Sequence, residues 1–300
     1  KVDCSGNIVW NKCIAAGYNN SYANYMILRD NILYLYLTVD ITFFQLYFLD
    51  TWDPHVGSHE PDYVFPWIPT KNYSVIMKVD LDGNIISSDF FEMRAIERMY
   101  KSYKLFQTGD QHPFAMDNEG NYILITTLTV TDRETITDTA YLLHNDTCVY
   151  GPIISTPFDR RWYLIKFDPY FNLTHFKPFV IDENNRDTIM IPPDSIDPLW
   201  NRYREGPLFY FDDMVCDADN NIYITGKVQT TGIVSSLPYE ISLSEGHHLY
   251  TDTLDYKYAF LMKVNPNLEI EWVKQFRRAD GLNDLFRGLV YDETSNKIYT

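Results

Sequence analysis

Two runs in this 300-residue chain set side-chain oxygens at alternate positions: Asp80, Asp82 and Asn84, and again Asp217, Asp219 and Asn221. Oxygens so spaced can wrap Ca2+, but neither run has the Gly and the distal Glu that an EF-hand loop requires. Asp and Asn in such places also close tight turns, by bonding their own backbone two residues on. The turn reading is preferred, with Ca2+ as the lesser alternative and no other cofactor expected. His55 and His59 are four apart, yet Pro54, Gly57 and Pro61 make their segment a loop, and no HExxH motif accompanies them. His247-His248 stands alone. There is no Gly-x-Ser-x-Gly elbow, phosphate loop, GxGxxG or sialidase Asp box. Asp212-Asp213 and Asn283-Asp284 recur at one place in successive repeats, so Asp212, Asp213 and Asp284 are the candidates for paired-carboxylate chemistry on a glycan. Repetition accounts for that recurrence better than catalysis does.

Other residues point to covalent modification. Asn19, Asn72, Asn145 and Asn172 each begin an Asn-x-Ser/Thr sequon, and all four read as lying in insertions or turns, where a glycan fits. Of the four cysteines, Cys4 and Cys13 flank one hairpin and are expected to be bonded. Cys148 and Cys216 would form a long-range pair, and buried thiols are the plainer alternative. Seven Thr residues between 126 and 139 suit an exposed hairpin or O-glycosylation. Sequons and even cysteines together indicate an extracellular location.

The elements that must carry these residues come from a repeated two-part phrase. Its first half is an apolar strand ending in Lys1-Val2-Asp3, Lys78-Val79-Asp80, Lys166-Phe167-Asp168 or Lys263-Val264-Asn265, spaced 77, 88 and 97 residues apart. Its second half is an apolar run, an Asp with turn residues and a Tyr-rich strand, as in Val215-Cys216-Asp217 and Asn221-Ile222-Tyr223. Short apolar runs bounded by Asp, Asn, Gly or Pro are strands joined by tight turns. In 32–39, Leu33, Leu35, Leu37 and Val39 fall on one face and Tyr34, Tyr36 and Thr38 on the other. Four small antiparallel sheets in series, none able to bury both faces alone, stack most naturally as blades of a β-propeller. The spacings exceed the roughly 40 to 50 residues of a plain blade, so about half of each period is insertion. One insertion reads as helical, because Met93, Ile96 and Tyr100 share a face and Glu97 precedes Lys101 by four.

The phrase Lys-Val-Asp-x-x-Gly-x-x-x-Trp at 1–10, its echo at Lys263, Asn265 and Trp272, and the stretch from Asp217 to Gly226 resemble SBBP-type β-propeller repeats. The resemblance covers about half the chain, and Ser87 and His175 stand where the pattern has Trp. The Trp-containing half also resembles quinoprotein propeller repeats. Both resemblances imply a fold and leave function open, since propellers host enzymes, lectins and scaffolds alike.

Composition bounds the rest. With 45% apolar and 16% aromatic residues, 24 of them Tyr, the chain can bury a large core. A net charge of −16 with only 25 Lys and Arg argues against nucleic acid. The apolar stretch 32–49 is interrupted by Asp40 and Gln45 and reads as two core strands hinged at Asp40, not as a membrane span. The expected fold is all-β, a β-propeller of four-stranded antiparallel blades with long inserted loops, in repeat units of about 1–77, 78–165, 166–262 and an incomplete 263–300. The chain opens without Met and stops inside a strand, so it reads as a segment of something longer, with further chain or a neighbouring subunit completing the ring. The expected function is a non-catalytic extracellular glycoprotein module, structural or adhesive, in a surface filament or coat. Its expected partners are copies of itself, other surface proteins or glycans. The alternative is a secreted propeller enzyme or lectin acting on glycans.

Overall fold

The computed structural model describes residues 1–11, 13–16, 21–41, 46–49, 63–64, 71–95, 113–129, 138–145, 147–155, 160–178, 206–231, 239–251, 257–276 and 288–300. These residues are all-β, in antiparallel sheets with four-stranded meanders, and their one helical element is the single 3-10 turn Ser244–Gly246. None of their helices is long and apolar enough to cross a membrane. The chain divides into two compact units, Lys1–Gln107 with Leu128–Arg160, and Thr108–Thr127 with Arg161–Thr300.

In the first unit, strands Ser21–Arg29, Ile32–Ile41, Lys71–Asp80 and Ile85–Ala95 run as a meander. Asp30 and Asn31, at φ 50° and 61°, make the two-residue turn between the first pair. Two positive φ values in succession match the twist of paired strands, and Asp and Asn tolerate them. Tyr34, Tyr36 and Leu37 are buried with Val75, Ile76, Met77 and Val79, so the Tyr face of the strand is core as much as the Leu face. The Ile32–Ile41 strand continues through Asp40, which pairs with Asn72, so the hinge expected at Asp40 is absent and the strand ends one residue later. Met93 is in a strand opposite Leu142, not a helix, because Asp138–His144 and Thr147–Ser155 extend the sheet beyond Ile85–Ala95. A partner strand more than forty residues away leaves no local periodic signal. Ile96, Glu97, Tyr100 and Lys101 lie outside the described residues.

The second unit holds two four-stranded meanders. One is Phe114–Met116, Tyr122–Thr129, Arg160–Phe167 and Leu173–Pro178, with positions 128, 129 and 160 assigned to the first unit. The other is Gly206–Cys216, Ile222–Thr231, Lys257–Val264 and Ile270–Phe276. Hairpin Tyr239–Ser242 with His248–Thr251, and hairpin Val290–Asp292 with Lys297–Tyr299, complete it. Each meander takes its first two strands from one repeat phrase and its last two from the next. Lys78, Lys166 and Lys263 consequently share one register position, opposite Ser87, His175 and Trp272. Ile123, Ile125, Trp162 and Leu164 pack in one cluster with Phe211, Ile224, Phe260 and Met262. Trp162 meets Phe211 edge-on at 4.7 Å, an arrangement that suits the ring quadrupoles. Burying each such large side chain stabilises by about 1.5–3 kcal/mol.

Meander topology has a positional consequence. The first-to-second and third-to-fourth turns of a sheet lie at one end, and these are the tight Asp/Asn turns. The long second-to-third connections, 42–70, 130–159 and 232–256, leave from the other end.

Candidate functional site

The residues with the most chemistry on them are the turn carboxylates, and the same turn is built five times. In Asp3–Asn7, Asp80–Asn84, Asp117–Asn121, Asp168–Asn172 and Asp217–Asn221, the Asp amide donates to the Asn carbonyl oxygen at 2.9–3.1 Å. Asp Oδ1 accepts the backbone amides two and four residues on, at 2.8–3.0 Å. Asp Oδ2 accepts the Asn side-chain amide at 2.8–3.0 Å. A sixth copy swaps the chemistry: Asn265 Nδ2 donates to Glu269 Oε2 at 2.8 Å, while Asn265 Oδ1 accepts two amides at 3.0 Å. The fourth residue of each turn has positive φ, and only three of the six are Gly: Gly6, Gly83 and Gly120. Phe171, Asn220 and Leu268 take the strained conformation at 62–65°. Phe171 and Leu268 bury their side chains in return, Phe171 stacking on Tyr122 at 4.6 Å.

The carboxylates of Asp80 and Asp217, the first residue of each Asp-x-Asp-x-Asn run, are thus engaged by their own turns. Asp82 and Asp219 enter through their backbone amides, and their side chains are exposed. Among the described residues, no three His, Cys, Asp or Glu side chains stand where they could hold a metal. The Asn84 amide, then backbone N–H groups, holds the Asp80 carboxyl below its usual range, and Asn7 does the same for Asp3.

The turns also join one repeat to the next. Asn118 donates its side-chain amide to the Asp217 and Ala218 carbonyls at 3.0 Å, and its backbone amide to Asn220 Oδ1 at 2.9 Å. Lys166 Nζ lies 2.9 Å from Asp117 Oδ2 and 3.4 Å from the Pro266 carbonyl, with the lysine almost fully buried and Asp117 wholly so. In the first unit, Lys1 Nζ and the Trp10 indole both donate to the Leu81 carbonyl, at 2.9 and 2.8 Å.

Of the catalytic candidates, Asp213 is buried, opposite Thr225 at a bulge in strand Gly206–Cys216. Its Oδ1 accepts the Met214 amide at 2.7 Å and its Oδ2 the Leu289 amide. Burial pushes its pKa up against those two donors. Asp212 points to Lys227 at 3.2 Å, whose ammonium lies 5.0 Å from the centre of the Tyr210 ring. The structure does not bring Asp212 and Asp213 to a common task, and Asp284 lies outside the described residues. His247 bonds the Ile270 carbonyl at 3.0 Å and His248 lies 2.9 Å from Glu240. His55 and His59 lie outside the described residues.

Among the modification sites, Asn145 is exposed at a hairpin tip with φ 46°, its amide 3.3 Å from Asp89 Oδ1. Asn172 is exposed, but its amide belongs to the Asp168 turn, and Thr174 of the same sequon donates to the Lys166 carbonyl at 2.9 Å. The repeat grammar alone therefore accounts for Asn172. Asn72 lies within strand Lys71–Asp80, not in an insertion or turn, because Asp40 pairs with it from the neighbouring strand. Asn19 lies outside the described residues. Cys4, Cys148 and Cys216 are in no disulfide, so neither the expected Cys4–Cys13 bond nor a Cys148–Cys216 bond is formed here. The two do not flank one hairpin: Cys4 sits inside the Asp3–Asn7 turn, and Cys13 begins a separate strand, Cys13–Ala16, paired with Leu46–Leu49. The Cys13 side chain is outside the described residues.

Sequence reasoning missed the Lys166–Asp117 pair, although the recurrent Lys was visible; its partner is 49 positions away in another strand pair. No protein-family model matches the chain, and no curated protein matches it. Among solved structures it is similar to a member of the DUF4221 family from Bacteroides vulgatus, at 12% identity over 88% of this chain and 87% of that one, with a TM-score of 0.27.

Proposed function

We propose that the chain is a non-catalytic extracellular glycoprotein module, structural or adhesive, whose sheets are blades of a β-propeller. The observation that carries this reading is one contact made by equivalent lysines to the next first-half turn: Lys1 reaches the Leu81 carbonyl as Lys166 reaches that of Pro266. A constant step between equivalent groups is what rotation about an axis generates. The turn carboxylates are committed to holding backbone, which suits a scaffold better than a reaction centre. Exposed Asn145 at a hairpin tip supports glycan attachment, and glycans there would restrict close approach to the faces left bare. Electron microscopy with glycopeptide mass spectrometry on native material tests the reading. Ordered assemblies carrying glycan at Asn145 are expected; an unmodified, monodisperse monomer would overturn it.

A second reading, a secreted glycan-acting enzyme or lectin, draws on Asp213, a buried carboxyl with a raised pKa of the kind that serves as a general acid. Hydrolysis of glycan substrates by the wild type, lost in Asp213→Asn, would favour it.

A further inference from the structure

We propose that the folded chain cross-links itself: the Lys166 side chain displaces ammonia from the side-chain amide of Asn121 to leave an isopeptide bond, with Asp117 carrying the protons. The cross-link goes beyond the structural reading above and does not depend on it.

All three residues belong to the second unit and all are buried, Asp117 being 0% exposed, Lys166 6% and Asn121 7%. Asp117 Oδ2 stands between the other two, 2.9 Å from Lys166 Nζ and 2.8 Å from Asn121 Nδ2. A nucleophile and a leaving group thus touch one carboxylate oxygen, the arrangement that a proton shuttle needs. The fold holds each part in place. Asn121 ends the turn, its backbone amide donating to Asp117 Oδ1 at 2.9 Å. Lys166 projects from strand Arg160–Phe167, and its Nζ also lies 3.4 Å from the Pro266 carbonyl. A second carboxylate attends the group that would leave, Glu119 Oε2 lying 3.2 Å from Asn121 Nδ2.

The other copies of the turn show what sets this one apart. Asn7, Asn84 and Asn172 make the same bond to their own Asp, but they are exposed. At Asp217, Oδ2 takes the Tyr223 hydroxyl at 3.2 Å as well as Asn221, while Lys263, the equivalent of Lys166, bonds Glu271 at 2.7 Å. Among these five turns, the one at Asp117 brings amine, carboxylate and amide together away from water.

Passing one proton from Lys166 Nζ to Asp117 Oδ2, across 2.9 Å, yields the neutral amine that is the nucleophile. Burial raises the Asp117 pKa, but the bonds from Asn121 and Lys166 hold it below its usual range. The neutral pair is therefore the minor state and the reaction is slow; the structure shows the unreacted chain. The Nζ lone pair attacks Asn121 Cγ, the Nζ–Cγ bond forms and the Cγ–Nδ2 bond breaks. Nζ sheds two protons in all. One completes ammonia from Nδ2, the other, relayed by Asp117, makes it ammonium, and Asp117 ends as the carboxylate it began as. Nothing is oxidised or reduced. Fixed proximity replaces a bimolecular encounter, and the dry site offers no water to compete with Nζ. The new bond ties the Asp117–Asn121 turn to strand Arg160–Phe167 and closes the loop that holds the long connection 130–159.

The test is the intact mass of the purified full chain, measured fresh and after prolonged warm incubation, with peptide mapping of the product. A species lighter by one ammonia is expected to grow with time, and to yield a branched peptide joining Asn121 to Lys166. That fraction should melt several degrees above the rest, because the bond restricts the unfolded chain. Lys166→Arg, which keeps a cation on Asp117 but offers no nucleophile, and Asp117→Asn, which removes the shuttle, should both keep their full mass. Wild type held in urea throughout, with the three groups apart, should keep its mass too, and that control does not require any variant to fold. A wild type that never becomes lighter would overturn the proposal and leave Lys166 and Asp117 a plain ion pair. Equal loss of ammonia from Lys166→Arg would overturn it as well, by placing the reaction at another Asn. Loss of one water, with the branch at Asp117, would overturn the roles assigned, making Asp117 the group attacked.

Discussion

Asp80 and Asp117 close the same turn, one at the surface and one wholly buried against Lys166. Asp117→Ala strips acceptors from four donors and leaves the Lys166 ammonium buried without its counter-ion, a loss of about 3–5 kcal/mol. Urea unfolding should report it, with Asp80→Ala clearly milder. Proton linkage separates Asp117 from Asp213. At Asp117, burial raises the pKa, but bonds from Asn121 and Lys166 outweigh it and the net shift is downward. Its contribution is therefore present above the unfolded value of about 3.9 and is lost as pH falls through the folded value. Asp213 shifts upward by burial, so its contribution declines as pH rises from about 4 through its folded value. Urea midpoints between pH 7 and pH 4 should show wild type gaining on Asp213→Asn as pH falls. The margin over Asp117→Asn should shrink below about pH 4.

The turn is where element and sequence meet most closely. Asp, Asn and Gly at fixed offsets marked these turns in the sequence because each residue type is demanded locally: an acceptor pair, an amide and a positive φ. Phe171 and Leu268 carried no such mark, since a bulky residue at positive φ is justified only by the core it enters. The order of two substitutions tests that account. Phe171→Ala should cost about 3–5 kcal/mol for the lost ring. Phe171→Gly should cost about 1 kcal/mol less than Ala, because it removes the left-handed strain. Local pattern also revealed that strands exist but not what lies beside them. The hairpin Tyr239–Thr251 is fastened to strand Ile270–Phe276 by Gln275, whose side-chain amide bonds both the amide and the carbonyl of Tyr250, and by Glu245 accepting the Ile270 amide at 3.1 Å. Nothing in the spacing of Gln275 foretold that it replaces a ladder rung. Gln275→Ala should speed hydrogen exchange at the Tyr250 amide several-fold while leaving the Ile224 amide, deep in the same sheet, unchanged.

For the whole molecule, the dominant electrostatic fact is a net charge of −16, so any two copies repel at long range. The assembly that the proposed structural role requires must therefore rest on main-chain hydrogen bonds and apolar contacts, which act at close range and are little affected by salt. Screening therefore removes the repulsion and leaves the attraction. The Debye length falls from about 30 Å at 0.01 M salt to about 8 Å at 0.15 M, so most of the change should occur within that interval. Sedimentation velocity should show the weight-average mass rising from 0.01 to 0.15 M NaCl and then levelling. A mass that falls steadily with salt would mean that the copies are held by charge pairs, and would exclude apolar contact as their junction.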